Sequence, residues 1–308
     1  MADSQAVEPA NGATVLGIDA AWTTTQPSGV ALVVRDRNRW ICCGLAPSYQ
    51  QFCELSIGRQ VDWTRSPPPG RADVNALLVA AHALAGQNPD AIAVDMPLAF
   101  EPITARRTSD TAISRLFGAA GAAVHLPSAI RPGPIAEEFR VGLERRGYEL
   151  TVRTAHPAHQ PALIETYPHP IAMWLCNSCR RLPYKTAKSG IYWPGQPLTE
   201  RRRRLLTVWK EIVFAVEGMI DGINLPQITP ALIGSRSALK AFEDALDALI
   251  CAIAGISYLL GTAIPYGDDA SAIWLPMGCE SYALRPDNYK DLTERLAQGT
   301  DIFRVTAA

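Results

Sequence analysis

The sequence predicts an α/β domain: a mixed five-stranded sheet flanked by helices, with two helix- and loop-rich insertions at about residues 98–160 and 171–236. Three observations predict it. Three short apolar runs joined by polar links open the chain, a pattern that makes an antiparallel meander. An alanine- and leucine-rich helix then precedes a fourth apolar run, and such a crossover lets the fourth strand lie parallel to the first. Finally, 308 residues at 48% hydrophobic and 19% charged supply a sizeable core. The net charge of -1 excludes a globally basic nucleic-acid binder, so any phosphate-binding surface is a local patch.

Residues 1–12 contain Asp3 and Glu8 and no apolar run, so they read as a flexible tail without a secretory signal, with 13–308 as one domain. Thr14 to Asp19 (TVLGID) fits a buried strand, Ser28 to Val34 (SGVALVV) a second, and Arg39 to Ala46 (RWICCGLA) a third after the turn at Arg35 to Asn38. Pro67-Pro68-Pro69-Gly70 ends an irregular segment, and a helix follows over Ala72 to Ala85. Ala91 to Asp95 is the fourth strand, stopped by Met96-Pro97, and Leu163 to Thr166 the fifth. Ser237 to Leu260 reads as a long helix and Ser271 to Pro276 as a last short strand. The uncharged stretch Ala248 to Pro265 contains Gly255, Ser257, Gly261 and Thr262 and follows two aspartates. It reads as core helix rather than as a membrane span. Seven cysteines without framework spacing point to reduced thiols and a cytoplasmic protein. Cys176 and Cys179 lack the second pair that a structural zinc takes.

The sharpest signal is where the acids sit. Asp19 ends the first strand and Asp95 the fourth, each after an apolar run. Adjacent parallel strands bring both to one edge of the sheet, where ligands of open α/β sheets bind. Glu165, near the end of the fifth strand, can join them there. Asp244 and Asp247, three residues apart, share one face of the late helix beside the apolar stripe of Leu246, Leu249 and Ile250. Converging carboxylates either take up protons or bind a cation, and oxygen donors favour Mg²⁺ or Mn²⁺. A pair of such ions suits phosphodiester hydrolysis by metal-activated water, with Asp19 and Asp95 bridging them and Asp244 and Asp247 completing the coordination. The plainer alternatives are that Asp19 caps the turn before Thr23-Thr24-Thr25, that Asp95 bonds a loop, and that Asp244 and Asp247 form a solvated face.

Arg180, Arg181, Lys185, Lys188 and the run Arg201 to Arg204 make one basic segment, interleaved with Tyr184, Tyr192, Trp193 and Trp209. Cations with aromatics suit DNA or RNA through phosphate contacts and base stacking; a solvated helix start at Leu198-Thr199-Glu200 is the alternative. Lys185, Lys188 and Arg201 are the substrate-binding candidates here. His125, His156 and His169 read as structural histidines.

Several of these segments resemble, in order, the motifs of domain-of-unknown-function family 429, described as predicted nucleases of ribonuclease H-like fold. Gly17 to Thr23 with Pro27 to Ala31 resembles its opening motif and Val94 to Leu98 its second. Arg107 and Asp110 resemble its Arg-x-x-Asp, Glu165 to Pro170 its glutamate motif, Lys185 to Gly190 its lysine-rich motif, and Asp244 to Ala248 its closing Asp-x-x-Asp-Ala. The resemblance implies a ribonuclease H-like sheet in which Asp19, Asp95, Asp244 and Asp247 hold Mg²⁺ or Mn²⁺, Glu165 joins the catalytic set and Arg107 the substrate-binding one. Two other classes stay open: a non-catalytic nucleic-acid or protein-binding module, and an ATP-dependent phosphotransferase of actin-like fold, since Asp19 with Thr23 to Thr25 resembles a phosphate-binding loop.

Overall fold

The computed structural model describes residues 12–153, 161–227 and 234–284. The expected tail, apart from Gly12, and His156 lie outside these residues. The three apolar runs form β1 (Thr14–Asp19), β2 (Gly29–Asp36) and β3 (Arg39–Ala46), paired antiparallel as a meander. The turn between β2 and β3 is tighter than expected, with Arg37 taking the left-handed conformation (φ 53°). Two helices follow: α1 (Tyr49–Leu55), and α2 (Val74–Ala85), capped by the Asp73 carboxylate and ended by Gly86 at φ 76°. The chain then enters β4 (Ala91–Val94), which lies parallel to β1. The first insertion holds α3 (Thr108–Phe117), α4 (Pro134–Glu144) and the short β5 (Glu149–Leu150). β6 (Ala162–Thr166) runs parallel to β4.

Beyond β6 come α5 (Pro168–Leu175), a single 3-10 turn at Thr186–Lys188, α6 (Ser189–Tyr192), α7 (Leu198–Glu217) and β7 (Ile220–Asp221). The long helix is α8 (Arg236–Leu259), capped by the Ser235 hydroxyl, and the chain continues through β8 (Ala263–Gly267), β9 (Ala272–Pro276) and α9 (Cys279–Ala283). Among the described residues the sheet has nine strands in the order β7-β3-β2-β1-β4-β6-β9-β8, with β5 also on β6. The expected five strands are therefore corrected to nine. β5 and β7 are two residues each, too short to carry a periodic signal. β8 begins within the uncharged stretch read as helix, whose last three residues are strand instead, and its Pro265 is tolerated because β8 is an edge strand.

Strand alternation divides the apolar side chains into two layers. Val15, Ala31, Val33, Ala93 and Ile164 pack against α3, α5, α7 and α8, while Leu16, Ile18, Leu32, Val94 and Leu163 pack against α1, α2 and α4. α8 lies close over β1 and β2. A Cβ added at Gly29 stands 2.0 Å from the Asp244 carbonyl oxygen, and one at Gly17 2.3 Å from that of Ala248. Only glycine permits this approach, which fixes the height of α8 above the sheet. No helix among the described residues is long and apolar enough to cross a membrane.

Candidate functional site

The carboxyl ends of β1, β4 and β6 open into a cleft of about 490 Å³. Gly17 and Ala93 are paired in register and face α8. Asp19 and Asp95, two residues further along each strand, leave the sheet on that same face. Both line the cleft, together with Glu243 and Asp244 from α8. The Asp95 N–H donates to the Ile18 carbonyl (2.9 Å), which extends the parallel pairing up to the acid. Neither the Asp19 nor the Asp95 carboxylate has a hydrogen bond or ion pair among the described residues. Asp19 caps no turn: the loop after it closes through the Ser28 hydroxyl, which accepts from the Ala21 N–H (2.9 Å). Burial pushes the Asp95 carboxyl well above the carboxylate range, and the charges of Asp19, Asp247 and Glu165 push it the same way against Lys185.

On α8 the spacing 240, 243, 244, 247 puts Lys240, Glu243, Asp244 and Asp247 on one face. Lys240 donates to one Asp244 oxygen and to Glu243 Oε1 (3.0 Å). The other Asp244 oxygen, Oδ2, is buried without a hydrogen-bond partner. Burial holds the Asp244 carboxyl well above its ordinary value despite Lys240. Glu243 differs: burial alone raises it, but Lys240, Lys185 and the Thr186 N–H (2.6 Å) outweigh burial and lower it. Asp247 stands deeper, and both its oxygens are engaged, one by the Tyr184 hydroxyl (2.7 Å) and the other by Lys185. Its carboxyl is pushed up to about 6, first by burial. Asp244 and Asp247 are thus buried, not a solvated helix face.

Glu165 is arranged differently from the aspartates. It pairs in register with Val94, whose side chain belongs to the layer on the far side of the sheet. Its carboxylate takes both terminal nitrogens of Arg107 (2.5 and 2.7 Å) and the Leu98 N–H (2.7 Å). Arg107 also grips Asp110 (2.6 Å) and the Leu98 carbonyl (2.7 Å), with its side chain only 7% exposed. This network ties the segment after Asp95 to α3 and leaves Arg107 with a full set of protein acceptors.

The basic segment divides in two. Arg181, Lys185 and Lys188 line the cleft. Arg201 lies outside it, its guanidinium against Gly190, and Arg203 and Arg204 pair with Glu200 on an exposed face of α7. The interleaved aromatics are no stacking platform: Tyr184, Trp193 and Trp209 are buried, and Trp209 stacks on Phe242 with ring centres 4.8 Å apart. They are apolar enough to be drawn into the layer beneath α8 once the chain folds.

Lys240, Glu243 and Arg131 also line the cleft, and sequence reasoning passed over them. The helical spacing of Lys240 and Glu243 with Asp244 was a readable signal; Arg131, in a loop, carried none. Cys176 and Cys179 are free thiols, as are the other five cysteines.

The unpartnered groups that face the cleft include the carboxylate oxygens of Asp19, Asp95 and Asp244, which suit a hard divalent cation. No three His, Cys, Asp or Glu side chains among the described residues stand close enough together to enclose an ion by themselves. Mg²⁺ ordinarily takes one or two carboxylates and fills its shell with water and substrate oxygens, so Asp19 and Asp95 are the residues that could hold such an ion.

No curated protein and no solved structure matches the chain. The family described as "Protein of unknown function (DUF429)" matches residues 17–271, a span that holds every acid of the cleft, and the chain belongs to that family.

Proposed function

We propose that this protein is a divalent-metal-dependent nuclease that hydrolyses phosphodiester bonds of DNA or RNA. One observation carries the reading: Asp19 and Asp95 end adjacent parallel strands, leave the same face of the sheet and have no partner among the described residues, opposite a buried Asp244 oxygen that also has none. Carboxylates gathered in one cleft, one of them buried and two half-buried, repel one another unless a cation or protons neutralise them. A bound Mg²⁺ or Mn²⁺ supplies an activated water and offsets charge on the phosphodiester. Asp19 and Asp95 would hold the cation, with Asp244 adding negative charge beside it. Lys185, held by Asp247 and Glu243, offsets the surplus negative charge behind them. The Arg107–Glu165 network positions the segment that carries Asp95. The meander followed by a parallel β4, with α8 across it, supports a ribonuclease H-like core within the larger sheet.

The test is cleavage of single-stranded, duplex and branched DNA and RNA with Mg²⁺ or Mn²⁺, wild type beside Asp19→Asn. Metal-dependent cutting that disappears in a folded Asp19→Asn protein is the expected result. Equal cutting by the variant, or none by wild type on any substrate, refutes the assignment.

A further inference from the structure

The two insertions place a second group of side chains in the same cleft. His125 and Arg131 come from the chain between α3 and α4, and Arg181 and Lys188 from the chain after α5. None of the four side chains has an ion-pair or hydrogen-bond partner among the described residues. Beside them, His169 at the start of α5 is 6% exposed and lines the cleft, and its Nδ1 is buried without a partner. The Arg181 Nε is unpartnered as well. His169 is held between the rings of Tyr167 and Tyr184, with centres 5.3 and 5.2 Å away, so its ring is fixed rather than free to seek a bond elsewhere.

Cations gathered at one end of the cleft without direct ion-pair partners among the described residues repel one another, even with the carboxylates of Asp19, Asp95, Glu243 and Asp244 lining the same cleft. Burial first, then Arg181, Lys185, Lys188 and His125, press His169 well below its ordinary value and keep it neutral. His125 is lowered by burial and by Lys188, Arg181 and Arg131. At Lys188, burial and the charges of Arg181 and Lys185 lower the ammonium against the opposing pull of Glu243. An anion placed among them relieves that repulsion and supplies acceptors for the unpaired N–H groups.

We propose that His125, Arg131, Arg181 and Lys188, with buried His169, form a phosphate subsite that selects substrates carrying a terminal phosphomonoester. An internal diester brings one negative charge to a phosphate, whereas a terminal phosphate at neutral pH brings nearly two and three acceptor oxygens. Arg131, Arg181 and Lys188, unpaired among the described residues, supply donors for the three oxygens of the second. The cleft volume is that of a site for one small ligand, about 300–1,000 Å³, so it holds the end of a strand. The identity of the rest of the ligand as nucleic acid rests on the nuclease reading; the subsite itself does not.

Binding is measured in EDTA by titration calorimetry on the full chain at neutral pH. The ligands are a dinucleotide with a 5′- or a 3′-phosphate, the same dinucleotide without one, and inorganic phosphate. One terminally phosphorylated form is expected to bind at least about tenfold tighter than the unphosphorylated form, the least that one new charge-assisted bond provides. Inorganic phosphate is expected to compete. Arg131→Ala and Lys188→Ala, at an exposed and a half-buried position, are each expected to reduce that preference several-fold in a folded protein. Equal affinity for the dinucleotides, or a preference unchanged in both variants, overturns the proposal. Phosphate binding without nuclease activity leaves the subsite standing and removes only the nuclease reading.

Discussion

Gly29→Ala is the most direct probe of how the cleft is assembled. The new methyl would stand 2.0 Å from the Asp244 carbonyl oxygen and 2.4 Å from its carbonyl carbon, both backbone atoms of a buried helix. Ordinary contact begins near 3.4 Å, so α8 and β2 must separate by about 1.4 Å. No side-chain rotation can absorb this, because the obstacle is the helix itself. Overpacking a core typically costs about 1–3 kcal/mol, and a backbone obstacle belongs at the upper end. The shift falls at Asp244, so it also lifts Lys240 and Glu243 away from the loop that Glu243 holds through the Thr186 N–H. Urea unfolding of Gly29→Ala is expected to show a loss of about 3 kcal/mol with an unchanged denaturant slope. Gly70→Ala, where an added Cβ meets nothing within 4 Å, is expected to change stability by less than about 0.5 kcal/mol. A loss below about 1 kcal/mol in Gly29→Ala would mean that α8 is not seated on β2 as described, and the reasoning would fail.

Arg107→Ala leaves the carboxylates of Glu165 and Asp110 buried without their cation and is expected to cost about 3–5 kcal/mol in chemical unfolding. Arg107→Lys should recover only part of it, because one ammonium cannot reproduce the paired contacts; a loss under about 1 kcal/mol in the alanine variant contradicts the network. His169 yields a pH-dependent prediction. Its folded pKa is lowered from 6.5, by burial and by the neighbouring Arg181, Lys185, Lys188 and His125, between uncharged Tyr167 and Tyr184. A histidine of that kind contributes stability that is full above its unfolded value and is lost as pH falls below it. Wild type should therefore lose stability relative to His169→Asn between pH 7.5 and 5.5, by up to about 1.4 kcal/mol at the acid end. A difference between the two proteins that does not vary with pH over that range contradicts a buried neutral His169.

The strand-end acids were legible because short continuous apolar runs announce buried strands, and an aspartate closing such a run falls at a sheet edge. β1, β3 and β4 begin where the pattern puts them, and the crossover helix α2 forces the parallel pairing that brings Asp19 beside Asp95. The long helix was legible for a related reason, an apolar run too long for a strand, and every position from Ala241 to Leu259 is buried.

Partner choice was not legible. Glu165 looks like a third strand-end acid in the sequence, but register sets it opposite Val94 and so on the other face, where Arg107 reaches it. Lys185 and Lys188 look alike three residues apart. The first is held by Asp247 and Glu243, while the second has no partner among the described residues and is pressed by Arg181 and Lys185. The cleft's basic end joins His125, Arg131, His169, Arg181 and Lys188 across more than sixty residues of chain. The sequence by itself determined the sheet's centre and the two acids at its edge, because strand and helix periodicity are local properties of the chain. Only the tertiary structure decided which long charged side chains are neutralised and which remain unpaired, because that depends on distances between segments no local pattern connects.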